Sequence, residues 1–155
     1  MKLLVIDGNS ILNRAFYGIR MLTTKDGKYT NGIFGFMNIL IGMLEEYKPD
    51  SVAVAFDVKS PTFRHEMYDA YKGTRKPMPS ELREQVPVMK DVLAAMGVAV
   101  ISKEGYEADD LLGTVAKRSE AKGMDVTVLS GDRDLLQLAT DHICIRIPKT
   151  KGGKT

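Results

Sequence analysis

The sequence predicts an α/β fold, with a mainly parallel central sheet and helices on both of its faces. Three observations carry that expectation. Short apolar runs without alternation recur, the pattern of strands buried on both sides. They alternate with stretches of helical periodicity, as β-α-β units do. Finally, four successive strand exits carry acids, and in such sheets ligands bind outside the carboxyl ends of the strands. At 155 residues, 44% hydrophobic and 27% charged, the chain suits one domain with one core, and no internal repeat or linker divides it.

Lys2 to Ile6 (KLLVI) reads as the first strand and ends on Asp7. Gly8, Asn9 and Ser10 supply turn and cap residues, and Ile11 to Met21 reads as a helix with Arg14, Phe16 and Tyr17 in its early turns. Thr23 to Asn31 is a polar turn segment. Gly32 to Tyr47 is apolar on so many sides that a largely buried helix is expected, its methionines and aromatics serving as core. Lys48, Pro49 and Asp50 end it. Ser51 to Phe56 (SVAVAF) is the second strand and exits on Asp57.

Between Val58 and Ser80 the texture changes, with Pro61, Pro77 and Pro79 punctuating a basic, tyrosine-containing stretch. A loop or short helices projecting from the sheet is the expected form. Tyr71, Lys72, Arg75 and Lys76 stand out there, because basic groups near an aromatic can hold phosphates and stack a base; a solvated loop has the same composition. His65 has no histidine or cysteine at ligand spacing and reads as structural or surface. Glu81 to Met96 should be a helix capped by Ser80, with Leu82, Val86, Met89, Val92, Leu93 and Met96 inward and Gly97 as its stop.

Val98 to Ile101 is the third strand. It leads to Gly105–Leu112 (GYEADDLL), where Glu107, Asp109 and Asp110 crowd the start of a helix whose apolar side is Ala108, Leu111, Leu112, Val115 and Ala116. One or two acids there would complement the helix dipole; three ask for a cation nearby. Gly123 ends that helix. Asp125 to Leu129 is the fourth strand, with Asp132 and Asp134 at its exit before a short apolar helix to Leu138. His142 to Ile147 is the last strand and contains Cys144, expected as a buried strand residue; a single cysteine forms no internal disulfide and suits a reducing cytosol. No apolar run approaches the ~20 residues of a membrane span, and MKLLVIDGNS lacks a signal-peptide pattern, so a soluble intracellular protein is expected.

The net charge of +2 says little about partners, but its distribution says more. Lys59 to Arg83 carries six basic residues against three acids, and Arg146 to Thr155 carries four and no acid. Such zones flanking an acidic pocket suit a polyanion-handling enzyme. Asp7, Asp57, Glu107, Asp109, Asp110, Asp132 and Asp134 would repel one another without counter-charge, and oxygen ligands suit Mg²⁺ or Mn²⁺. Two such ions about 4 Å apart support phosphodiester hydrolysis, with Lys72 and Arg75 supplying positive charge to the scissile phosphate. Two motifs point elsewhere and fail. The terminal GGKT lacks the first glycine of a phosphate loop, since Pro148 stands there, and Asn9 replaces the second acid of an aspartyl-phosphate phosphatase.

VIDGNS, AFD, YKGTR, GYEADD and SGDRD, in this order, resemble the 5′ nuclease domain family found at the N-terminus of bacterial DNA polymerase I, related to phage 5′ nucleases and flap endonucleases. The resemblance spans essentially the whole chain. It implies a PIN-like α/β fold, two divalent ions, and cleavage of 5′ flaps or 5′ ends of DNA and of RNA primers in replication and repair. It also implies metal-site roles for the seven acids, with Asp110 counted beside Lys72 and Arg75 as catalytic. Tyr71, Lys72, Arg75 and Lys76 fall in an arch over the 5′ strand, within residues 59–83, and Arg14 falls on the DNA path. A downstream polymerase domain is the implied partner and a cytoplasmic, nucleoid-associated site the implied location. The family continues with a helix-hairpin-helix and further aspartates that this sequence does not contain, so residues 1–155 correspond to an N-terminal fragment of that pattern. Two alternatives follow: a DNA-binding fragment impaired in catalysis, and a PIN-type ribonuclease, against which the long basic segment argues.

Overall fold

A computed structural model describes residues 1–56, 79–102 and 108–148, and of Ala108 and Asp109 the backbone alone. Among these residues five strands form one sheet: β1 (Lys2–Asp7), β2 (Ser51–Ala55), β3 (Ala99–Ile101), β4 (Asp125–Leu129) and β5 (Ile143–Arg146). Their order is β3-β2-β1-β4-β5 and every neighbouring pair is parallel. β1 is central, with Leu4 in register with Val52 on one side and Thr127 on the other. A strand in that position has no solvated face, which is why KLLVI does not alternate.

Among the described residues the helices are α1 (Gly8–Gly18), α2 (Asn31–Tyr47), α3 (Ser80–Arg83), α4 (Gln85–Ala95) and α5 (Ala108–Ala121), with a 3₁₀ turn at Arg133–Leu138. Leu4, Ile6, Val54 and Phe56 face one layer, where Ile11, Leu12, Phe36, Leu40, Met89 and Leu93 of α1, α2 and α4 bury them. Leu3, Val5, Val126 and Val128 point the other way, beneath Leu112 and Ala116 of α5 and Leu135 of the 3₁₀ turn. Helices therefore cover both faces, as the sequence predicts. Asn31 and Gln85 are buried polar groups that tie the first layer together. The Gln85 amide nitrogen donates to Asn31 Oδ1 (3.1 Å), its Oε1 accepts from Ile33 N (3.1 Å), and Asn31 Nδ2 donates to the Phe16 carbonyl (2.8 Å).

Several sequence expectations need correction. α1 starts at Gly8, not Ile11, because the Asp7 side chain caps it. The long helix expected over 81–96 is split into α3 and α4, since Pro87 has no N–H to offer the Arg83 carbonyl, and α3 is preceded by Pro79 at the cap position instead of Ser80. Met96 faces outward, and Gly97 turns the chain at φ 79°. α2 is not largely buried: Phe34 and Ile41 are 54% and 46% exposed. Cys144 is exposed too, because β5 is an edge strand whose burial alternates and only its Ile143 side meets a covering layer. Residues 57–78, with His65 and most of the basic 59–83 stretch, lie outside the described residues, as does the GGKT end. Among the described residues no helix is long and apolar enough to cross a membrane.

Candidate active site

From β1 the chain builds the sheet first toward β2 and β3, then crosses over to β4 and β5. The strand order therefore reverses between β1 and β4, and the crevice at their carboxyl ends is the ligand position of such sheets. Asp7 is the last residue of β1 and only 6% exposed. Its Oδ1 accepts from Ser10 N at 3.3 Å, and its Oδ2 accepts from the Ser130 hydroxyl at 2.8 Å. Ser130 leaves β4, is fully buried, and accepts in turn from Asp132 N at 3.0 Å. Gly131 N donates to Ser10 Oγ at 2.8 Å, closing the link between the first turn of α1 and the exit of β4.

Two glycines permit this closeness. A Cβ on Gly8 would come within 2.8 Å of the Ala55 carbonyl oxygen and 2.7 Å of the Phe56 ring. A Cβ on Gly131 would lie 2.9 Å from Ser10 Oγ. The exits of β1 and β2 thus meet through a backbone contact that a larger residue at position 8 forbids, and the exit of β4 is held to the first turn of α1 through the Ser10 hydroxyl.

Asp132 caps the 3₁₀ turn, its Oδ1 accepting from Asp134 N at 2.9 Å, and Asp134 itself is exposed. Asp110 sits half-buried in the first turn of α5, where its carbonyl accepts from Thr114 Oγ1 at 2.9 Å. Arg14 is half-buried on α1 and lines a cavity of about 460 Å³ with Ser10, Asn13, Tyr17 and Gly131, directly beside the Asp7 frame. Asp57, Glu107, Tyr71, Lys72, Arg75 and Lys76 lie outside the described residues, and the Asp109 side chain does as well. Among the described residues no three carboxylates, histidines or cysteines gather closely enough to hold an ion. The donors in place are carboxylate and hydroxyl oxygens, the set that fits Mg²⁺ or Mn²⁺ and not a thiolate-bound metal.

Ser130 and Ser10 have roles that sequence reasoning missed. Their signal was present: each is a hydroxyl residue at an acid-bearing strand exit, Ser130 next to Gly131 and Ser10 two residues after Gly8. Spacing cannot show that residues 123 positions apart share a hydrogen bond.

A parallel sheet whose switch point carries Asp7 and Asp132 on one hydrogen-bonded frame has the architecture of a PIN-like 5′ nuclease. Residues 2–154 match the family model of the 5′-3′ exonuclease N-terminal resolvase-like domain, and the chain belongs to that family. It is 44% identical over its full length to DNA polymerase I of Caldicellulosiruptor bescii, covering 18% of that protein. It is 45% identical over 148 residues to DNA polymerase I of Bacillus subtilis, covering 17% of it. The chain thus spans less than a fifth of these curated relatives. A phage T5 flap endonuclease solved as a pseudo-enzyme-product complex with DNA and metal ions superimposes with a TM-score of 0.70 at 22% identity, over 94% of this chain and 54% of that one. The catalytic core of Rad2 bound to DNA substrate has a TM-score of 0.53 at 16% identity, over 97% of this chain and 45% of that one.

Proposed function

We propose that this chain carries the catalytic face of a metal-dependent 5′-3′ exonuclease and flap endonuclease, acting on 5′ ends and flaps of DNA and on RNA primers, joined in the whole protein to a polymerase. The observation that carries the reading is the Asp7–Ser130–Asp132 frame at the switch point of the sheet. Family membership and the named activities of the relatives support the same assignment. The site of action is the cytoplasm, at the nucleoid.

Asp7, Asp57, Glu107, Asp109, Asp110, Asp132 and Asp134 are the residues that would hold the ions, with two Mg²⁺ or Mn²⁺ as the complement. Bound divalent metal lowers the pKa of water and offsets charge on the phosphodiester. The chain's own part is orientation. Ser130 holds one oxygen of Asp7 and the amide of Ser10 holds the other, so the carboxylate cannot rotate away as a phosphate approaches. Lys72 and Arg75 neutralise the scissile phosphate, Asp110 completes the acid set, and Tyr71, Lys76 and Arg14 guide the strand. The single domain 1–155 bears its strand-guiding segment at about 59–83.

The test is cleavage of a 5′-labelled flap DNA by this chain with Mg²⁺ or Mn²⁺, beside Asp110→Ala and an EDTA control. Metal-dependent product that disappears in the variant supports the assignment. Flap binding in Ca²⁺ without product in Mg²⁺ or Mn²⁺ identifies a binding fragment instead, and preferential cleavage of unstructured RNA identifies a ribonuclease.

A further inference from the structure

Lys90 stands half-buried in the middle of α4, in a helical layer whose neighbouring residues Val86, Met89, Val92 and Leu93 are all apolar. The positions three and four away along the helix are Val86, Pro87, Leu93 and Ala94, so it has no acid at helical spacing. Among the described residues no carboxylate pairs with it across space and no acceptor takes a hydrogen bond from its three donors. Its ammonium instead lies over the Phe56 ring, 5.3 Å from the centroid. An aromatic face attracts a cation but accepts none of those hydrogen bonds in the way an anion would.

Phe56 fixes where this cation sits. It is fully buried, follows β2 directly, and its amide donates to the Ile101 carbonyl at 3.0 Å, tying it to the end of β3. The ring also abuts Gly8, where a Cβ would come within 2.7 Å of it, and Gly8 is the residue after Asp7. Asp57 is the next residue in sequence. The ring thus holds Lys90 at the rim where β1 and β2 deliver their acids. Asp7 is not its partner, because the two Asp7 oxygens accept from Ser10 N and the Ser130 hydroxyl on the β4 side.

We propose that Lys90 binds a phosphate of the DNA strand at this rim, a contact in addition to those of Lys72 and Arg75. The identity of the strand rests on the nuclease reading. A phosphodiester supplies the anion and the acceptors that the fold withholds from this ammonium. Because Phe56 already restrains the side chain, less rotamer freedom is lost on contact than for a lysine free in solvent.

The test is the anisotropy of a fluorescent 5′-flap DNA titrated with this chain in Ca²⁺ at several salt concentrations. Lys90→Met keeps the straight stem over Phe56 and loses the charge. Its affinity should be about fivefold weaker at about 0.1 M salt, and the slope of log affinity against log salt shallower by about 0.7–0.9, the share of one phosphate. Lys90→Arg retains a cation over the ring and should restore both. Lys122→Met, exposed just before the amino end of β4, should alter neither. Unchanged affinity and slope in Lys90→Met overturn the proposal, and so does failure of Lys90→Arg to restore them, which would make the role one of packing on Phe56. Cleavage of the same DNA in Mg²⁺ reads the nuclease assignment separately. A chain that binds through Lys90 without cutting loses that assignment and keeps this contact, whereas one that cuts with an unchanged Lys90→Met slope does the reverse. No binding by the unaltered chain overturns both.

Discussion

The Ser130 hydroxyl donates to Asp7 Oδ2 at 2.8 Å while accepting from the Asp132 amide at 3.0 Å, so one buried hydroxyl ties the acid ending β1 to the acid following β4. Both links run through a side chain that is fully excluded from solvent. Removing it takes one hydrogen bond from Asp7 Oδ2 and one from the Asp132 amide at a position closed to solvent.

Ser130→Ala should therefore lower stability by about 2 kcal/mol and the melting temperature by roughly 4–8 °C. Flap cleavage should fall by about 10–100-fold, the usual effect of losing a group that orients a ligating carboxylate. Parallel thermal melts and single-turnover cleavage check this, and unchanged turnover would remove Ser130 from the working site.

Gly8→Ala and Gly42→Ala should have opposite signs. A methyl at Gly8 is driven against the Ala55 carbonyl, which is backbone and cannot yield, so the exit of β1 must shift and stability should drop by about 1–3 kcal/mol. At Gly42, inside α2, the methyl meets open space and the helix gains by about 0.5–1 kcal/mol. Urea denaturation of the two variants reads both signs directly.

Gln85→Leu keeps volume but leaves Asn31 Oδ1 and the Ile33 amide without their partner. One buried and one half-buried group left unpaired should lower stability by about 1–4 kcal/mol. A change within 0.5 kcal/mol in denaturant unfolding would show that water enters this junction of α1, α2 and α4.

Lys48 ends α2 in the left-handed region at φ 51°, a conformation glycine adopts without a Cβ penalty. Lys48→Gly should raise stability by about 0.5–1 kcal/mol, equivalent to roughly 1–4 °C in melting temperature, with cleavage unaffected. Calorimetry distinguishes this from the loss expected if the Lys48 side chain anchors the turn.

Strand positions were legible because a β-strand buried on both faces needs a continuous apolar run, and β4 at Asp125–Leu129 matches its sequence assignment residue for residue. Helix ends were less legible. Whether Asp7 caps α1, or Pro87 divides α3 from α4, depends on where carbonyls and amides come to lie, which periodicity does not encode. Cys144 shows a third limit: HICIRI has the composition of a buried strand, but burial depends on whether a helix layer reaches that edge.

By itself, then, the sequence determined the element types, the parallel α/β architecture and the acids at the strand exits, because local periodicity and strand-end chemistry are written along the chain. The tertiary structure decided the order β3-β2-β1-β4-β5, the hydroxyl bridge from Ser130 to Asp7, the close approach that demands glycine at position 8, and the uncovered flank beside β5. Each of these joins residues far apart in sequence, and contacts of that kind are set by how layers pack, not by any local preference.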